Sequence, residues 1–260
     1  MKVLFITPPY HAGVVESAGR WMPLSYVYLA GAVRAAGFEA EIYDAMTKQH
    51  TLAEIADRLR EPDYDVLAMS AITATMPATL DVLREARAID PNVITVLGGV
   101  HPTFCPEELF EDHSGLIDFI LQGEGEESLP TLLRVLHRGE SLTKVPGLVH
   151  QHPGGIQKNE CLPFIEDLDA LPTAWDLVDW EDYRYYVIPD SRLGAVSTSR
   201  GCTHECTFCS QQKFWKKSWR ARRPERVVEE MRMLHDTYGV NVFLLVDEYP
   251  TRERDRWEEL

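Results

Sequence analysis

Short runs of β-branched and aliphatic residues alternate with helical patterns through the first 140 residues, and this rhythm constrains the fold more than any other feature of the chain. Strands separated by whole helices pair in parallel through βαβ crossovers rather than as hairpins. The pattern predicts strands at residues 3–7, 39–44, 66–70, 93–98 and 118–122. Helices are predicted between them at 25–36, 52–60, 77–89, 106–111 and 126–138, with Gly37 and Gly139 as C-terminal stops. Five strands joined by right-handed crossovers make a doubly wound α/β sheet, which collects its ligands beyond the carboxyl ends of the strands. The loops after Ile6, Ser70, Gly98 and Gln122 are therefore where chemistry is expected.

Farther along, two short strand-like runs within residues 145–159 flank His152-Pro153-Gly154-Gly155, a hairpin signal. Residues 161–189 read as a linker that wraps, because Leu168, Leu171, Trp175, Leu177, Trp180, Tyr183, Tyr185 and Tyr186 need burial. A new α/β rhythm follows, with a strand at 195–199, a cysteine-rich loop, a helix over Pro224–Tyr238 and a strand at 242–246. This gives a flavodoxin-like domain at 1–140, a hairpin and linker at 141–192, and the beginning of a second α/β domain at 193–260. Cys202 to Leu260 is 59 residues. That is room for about two β/α units at roughly 30 residues each. The last residues, Asp255-Arg256-Trp257-Glu258-Glu259-Leu260, lie in a helical pattern without a stop signal, so the chain reads as a fragment.

Forty-one acidic against 26 basic side chains give a formal charge of −15, which opposes a surface devoted to nucleic acid or anionic membrane. Any anion site must be local. No apolar run approaches the roughly 18 residues of a membrane span, and the run at 3–6 stops before Pro8-Pro9, too short for a signal peptide. The expected location is cytoplasmic. Five cysteines, three of them between 202 and 209, suit a metal better than a disulfide framework. Cys105 and Cys161 read as small buried apolar residues.

Arg200-Gly201-Cys202-Thr203-His204-Glu205-Cys206-Thr207-Phe208-Cys209 carries three thiols at C-x3-C-x2-C spacing directly after a strand. A cubane iron-sulfur cluster takes four ligands, so three thiolates leave one iron open to a small molecule. The competing reading is zinc with His204 as fourth ligand. His204 lies only two residues from each flanking thiol, closer than zinc ligand pairs are usually spaced.

The C-x3-C-x-aromatic-C loop resembles the radical S-adenosylmethionine (SAM) superfamily, built on a partial β/α barrel. The resemblance implies a 4Fe-4S cluster on Cys202, Cys206 and Cys209, Phe208 packed beside it, and SAM on the open iron, where one electron releases a 5′-deoxyadenosyl radical. Val246-Asp247-Glu248 ends the next strand where that superfamily places groups that grip the methionine amine, which assigns Asp247 or Glu248 to SAM. A flavodoxin-like domain ahead of such a barrel is similar to the cobalamin-binding class. Ser70-Ala71-Ile72 and Gly98-Gly99 resemble the S-x-L and G-G elements that line the cobalamin nucleotide tail, which asks for backbone without Cβ. Gly-Gly is also an ordinary turn, and Gly123-Glu124-Gly125-Glu126, which matches as well, explains itself as a strand-to-helix turn with acids in the first helical turn. There is one departure. Domains that supply a lower axial histidine carry D-x-H-x-x-G in the first loop, whereas this chain has Pro9-Tyr10-His11-Ala12-Gly13-Val14, so His11 is not expected to ligate cobalt; contact with the corrin or substrate and a capped or solvent-exposed loop histidine are the two readings left.

Between Lys213 and Arg226 lie seven cations and one acid, a +6 island in a chain that is otherwise −21, interleaved with Phe214, Trp215 and Trp219. Arginine and tryptophan together suit a flat anionic ligand, RNA suits them less in so acidic a chain, and a solvated loop is the plain alternative. Phe208-Cys209-Ser210-Gln211-Gln212-Lys213-Phe214-Trp215, Arg220-Ala221-Arg222 and Val246-Asp247-Glu248-Tyr249-Pro250-Thr251 resemble the anaerobic magnesium-protoporphyrin IX monomethyl ester cyclase family. So do Tyr10-His11-Ala12-Gly13, Trp21-Met22-Pro23 and Asp44-Ala45-Met46-Thr47. That resemblance implies oxygen-independent closure of the fifth ring of a chlorophyll precursor, for which Arg220, Arg222 or a nearby lysine is expected to pair with the propionate of an anionic tetrapyrrole. It also implies a reduced ferredoxin or flavodoxin as electron donor. Cobalamin-dependent radical methyltransferases and a non-catalytic cobalamin-binding module are the alternatives, and the chain as given is expected to bind cobalamin without turnover.

Overall fold

The structure, a computed structural model, describes residues 1–11, 13 and 18–260. The chain divides into two compact units, each described by itself. The first takes in residues 1–11, Ser25–Phe164 and Pro172–Val178, and the second takes in Ile165–Leu171, Asp179–Leu260 and the described part of Ala12–Leu24.

In the first unit the strands are β1 (Lys2–Ile6), β2 (Glu39–Tyr43), β3 (Val66–Ser70), β4 (Ile94–Gly98), β5 (Phe119–Leu121), β6 (Leu148–His152) and β7 (Gly155–Lys158). They form one sheet in the order β2-β1-β3-β4-β5-β6-β7. The first five pair in parallel in the order 2-1-3-4-5, which is that of the flavodoxin-like fold expected from the sequence. The hairpin β6–β7 adds two antiparallel strands, Ile120 standing opposite Val149.

Alternation along each strand sends neighbours to opposite faces, and both faces are dry. Leu4, Ile6, Leu67, Met69 and Leu97 meet α3 (Leu52–Leu59), α4 (Met76–Ile89) and α6 (Pro106–Asp112) through Ile55, Leu83 and Phe110. Val3, Phe5, Val66, Ala68 and Val96 meet α1 (Leu24–Ala35) and α7 (Gly125–Arg138) through Tyr26, Val33, Leu129 and Leu132. Each fully buried side chain of this size stabilises the fold by about 1.5–3 kcal/mol before entropy is counted. Two single-turn helices were not legible in the sequence. The Asp44 side chain caps α2 (Ala45–Lys48) by accepting the Thr47 N–H at 3.1 Å, and α5 (Val100–Phe104) follows the turn at Gly99.

The second unit holds β8 (Leu193–Val196), β9 (Ser199–Gly201), α8 (Gln211–Phe214), β10 (Trp219–Ala221), α9 (Pro224–Tyr238), β11 (Val242–Leu245) and α10 (Arg254–Glu259). β8 and β11 pair in parallel across the α9 crossover, while β9 and β10 pair antiparallel. β8-α9-β11 is a βαβ unit, the repeat from which β/α barrels are built. The strand expected at 195–199 is broken, because Ser197 and Thr198 turn between β8 and β9. Of the linker residues expected inside, Leu168, Trp175, Trp180 and Tyr183 are buried, whereas Tyr186 is 51% exposed. No described helix is long and apolar enough to cross a membrane.

One buried side chain joins the carboxyl ends of two central strands. Tyr26 Oη donates to Ile6 O at 2.9 Å and accepts the Ser70 N–H at 2.8 Å, and burial holds its phenol protonated well above the usual range. Tyr26→Phe strands a buried carbonyl and a buried N–H at this edge. Urea denaturation is expected to read a loss of about 1–3 kcal/mol.

Candidate functional site

The carboxyl edge of the first sheet brings Ser70, Gly98 and Gly99 together. Ala71 N donates to Gly98 O (3.0 Å) and His101 N to Ala71 O (3.1 Å), so the exits of β3 and β4 are laced to each other. Gly99 has φ +93°, and a Cβ there would lie 2.6 Å from Ser70 Oγ and 2.7 Å from Ala71 O. The glycine is thus required by the neighbouring strand exit, whatever else approaches it. Gly98 is different: a Cβ there would meet only Leu121 O, at 3.7 Å. Thr73 Oγ1 meets His101 Nδ1 at 3.1 Å, and Thr103 Oγ1 accepts the Gly123 N–H at 3.2 Å, which ties in the loop after β5. Ile72 and Phe104 stand 53% and 41% exposed beside these polar groups, apolar surface at the edge where a large, partly apolar ligand fits. His11 is exposed, while Ala12 and Val14 of its motif lie outside the described residues.

In the second unit the cysteine loop starts from a residue that has to be glycine. Gly201 has φ +92°, and a Cβ would sit 2.3 Å from Ser218 O. Cys202 and Cys209 are half-buried and Cys206 is exposed, all as free thiols. Cys209 N donates to Cys206 O (3.0 Å) and Gln212 Nε2 to the same carbonyl (2.9 Å). Among the described residues no three His, Cys, Asp or Glu side chains are gathered as a metal site. The donor chemistry nonetheless fits an iron-sulfur cluster, being three thiols on one loop, and the cluster itself supplies the convergence. The His204 ring packs on Tyr249, their centroids 4.8 Å apart. Phe208, expected against the cluster, is 91% exposed.

Asp247 and Glu248, adjacent in sequence, serve different contacts. Asp247 Oδ1 accepts the N–H groups of Thr198 (2.7 Å) and Ser199, and Oδ2 accepts Thr198 Oγ1 (3.0 Å). That carboxylate makes the turn that splits the expected strand, so the assignment of Asp247 to SAM gives way to an internal role. Glu248 is exposed, with Gly201 N on one oxygen and Trp215 Nε1 on the other.

The basic island also has to be reread. Arg222 is 9% exposed and ion-paired to Asp169 and Glu230, with Nη1 also donating to Ser197 O. Arg220 is 8% exposed, donates to Ile165 O at 2.6 Å and lies over the Trp215 ring at 5.3 Å. Both were expected to meet a substrate carboxylate, and both are instead built into the unit. Sequence reasoning missed Arg256, whose guanidinium is buried over Trp219 and donates to Arg222 O (3.0 Å) and Thr198 O (2.6 Å). Its only sequence signal was one cation near Trp257.

Residues 10–133 match the B12 binding domain family, and residues 196–260 match the radical SAM superfamily. The chain belongs to the radical SAM proteins that carry a B12-binding domain. It is 36% identical to the anaerobic magnesium-protoporphyrin IX monomethyl ester cyclase of Cereibacter sphaeroides, over 100% of this chain and 42% of that protein. It is 32% identical to an uncharacterized methyltransferase of Pyrococcus horikoshii, over 98% of this chain and 55% of that one. The cobalamin-dependent SAM radical enzyme OxsB, solved with aqua-cobalamin and SAM bound, superposes with a TM-score of 0.78 at 20% identity, covering 99% of this chain and 35% of its own. This is a likeness of fold. The chain spans about half the length of the curated relatives it matches.

Within this radical SAM unit, burial pushes the Asp247 carboxyl above its ordinary value of 3.8, against the pull of the Ser199 and Thr198 donors. The folded state then binds the proton more readily than the unfolded chain. The contribution of this group to stability is fullest below 3.8 and is lost as pH rises through the raised value. Thermal unfolding followed from about pH 3 to about pH 7 is expected to show wild type losing ground to Asp247→Asn as pH rises. A difference that stays flat across that range contradicts the assignment.

Proposed function

We propose that this chain is the cobalamin- and cluster-binding part of an oxygen-independent cyclase that closes the fifth ring of magnesium-protoporphyrin IX monomethyl ester. The observation that carries the reading is the likeness to an anaerobic cyclase along the whole chain, across both units. When bound, a 4Fe-4S cluster with SAM on its open iron supplies hydrogen-atom abstraction at an unactivated carbon, and cobalamin supplies a second redox centre. Cys202, Cys206 and Cys209 hold the cluster, and the exposed Phe208 ring shields it from water. Glu248 offers its solvent face to the methionine ammonium, a carboxylate having about four acceptor sites. Ser70, Gly98 and Gly99 line the cobalamin nucleotide tail, and His11 touches the corrin or the substrate. With Arg220 and Arg222 built into the unit, an exposed lysine of the island such as Lys213 meets a tetrapyrrole propionate. A reduced ferredoxin or flavodoxin delivers the electron.

A second reading, a cobalamin-dependent radical methyltransferase, is favoured by the methyltransferase relative that also spans nearly the whole chain. Anaerobic incubation of the full-length protein with the porphyrin ester, SAM, cobalamin and a reductant separates the two. The cyclase reading expects 5′-deoxyadenosine together with a cyclised pigment. S-adenosylhomocysteine with a methylated product supports the second reading, and deoxyadenosine without cyclised pigment excludes the first.

A further inference from the structure

One carboxylate holds both ends of the cysteine loop. Glu248 Oε2 accepts the backbone N–H of Gly201, the residue before Cys202, at 3.1 Å, and Oε1 accepts the indole N–H of Trp215, the residue after α8, at 2.9 Å. The two ends also meet directly, since Gly201 stands opposite Trp219 in the β9–β10 pair and its backbone lies against Ser218 O. Trp215 is itself fixed. Its side chain is buried, the Arg220 guanidinium lies over its ring, Phe214 meets it edge-on at 4.9 Å, and Ser218 Oγ donates to its carbonyl at 2.7 Å. Between these ends, residues 202–210 form no helix or strand.

We propose that Trp215 is a positioning residue for the three cluster thiols, acting through Glu248. The inference rests on the cluster-binding reading above and adds to it a part that the cysteines alone do not supply. A carboxylate with a donor on each oxygen is fixed in rotation, and one that pins Gly201 fixes the root of Cys202. Pinning the ends of a loop narrows the separations its sulfurs sample, so less ordering is left for the cluster to impose. The two hydrogen bonds are charge-assisted, which favours them over neutral pairs of the same geometry. Indole suits the task because it donates one N–H and has no basic atom to compete for iron. On this view the aromatic island is support for the loop: Arg220 braces Trp215, Trp215 orients Glu248, and Glu248 closes the loop.

The test uses the full-length protein, reconstituted anaerobically with iron and sulfide, and reads the rate of iron loss to a chelator with no SAM present. Trp215→Phe keeps an aromatic ring under Arg220 and removes the N–H, and iron loss is expected to quicken about tenfold, the scale of one hydrogen bond to a charged group. Glu248→Gln is expected to move the rate in the same direction. Because both act through one contact, the double variant is expected to be no faster than the more affected single. Amide exchange at Gly201 in the iron-free protein is expected to quicken in Trp215→Phe, a readout that needs no cluster. Unchanged iron loss or unchanged Gly201 exchange in Trp215→Phe overturns the proposal, and so does additivity in the double variant. A wild-type protein that takes up no cluster sinks the cluster reading itself, and is thereby distinguishable.

Discussion

Parallel pairing obliges every strand from β2 to β5 to leave the first sheet along one edge, and the rest of that unit follows from it. Each return path has to be a crossover, so the helices cover both faces and the strands lose their polar side. The exits cannot spread apart, because adjacent strands lie less than 5 Å from one another. They are therefore laced by short polar contacts: Tyr26 across β1 and β3, Ala71 with Gly98 and His101 across β3 and β4, and Thr103 with Gly123 across β4 and β5. The edge that collects the loops is thus also held by hydrogen bonds outside the sheet ladder.

The second unit meets a comparable constraint with charge. Two acids in succession at the exit of β11 point to different contacts, as neighbours in extended chain do. Asp247 gathers N–H groups at the Ser197–Ser199 turn, and Glu248 gathers them at the base of the cysteine loop. Both use the strength of hydrogen bonds to an ionised acceptor to hold irregular backbone that no ladder supports. Their surroundings differ. Asp247 is desolvated enough to raise its pKa, which makes it costly as a ligand group, whereas Glu248 keeps a solvent face.

Much of the fold was legible because burial on both faces writes uninterrupted apolar runs into the sequence, as at Val3 to Ile6 and Val66 to Met69. The helix Pro224–Tyr238 was legible for another local reason, with proline opening it and glycine following it. What escaped depends on partners far along the chain. The turn that breaks the strand at 195–199 is made by Asp247, about fifty residues later. The single-turn helix α2 exists because Asp44 caps it while also accepting the hydroxyl of Thr7, the residue after β1. The cysteine triad was readable as a triad, since ligand type and spacing are local, but the carboxylate that closes its loop was not.

The basic island is the case in which a local pattern misled. Seven cations with aromatics between them look like a ligand surface when their partners lie outside the window. Arg222 and Arg223 are answered by Asp169, and Arg222 also by Glu230 on the next helix. Arg220 and Arg252 are answered by tryptophan faces. The Arg222 guanidinium, less than a tenth exposed and engaged by two carboxylates and a carbonyl, cannot meet a substrate without abandoning bonds whose loss is expensive inside protein. The surplus positive charge of this segment therefore belongs largely to the architecture. An anionic substrate has to be recognised by the exposed lysines or by residues other than these arginines.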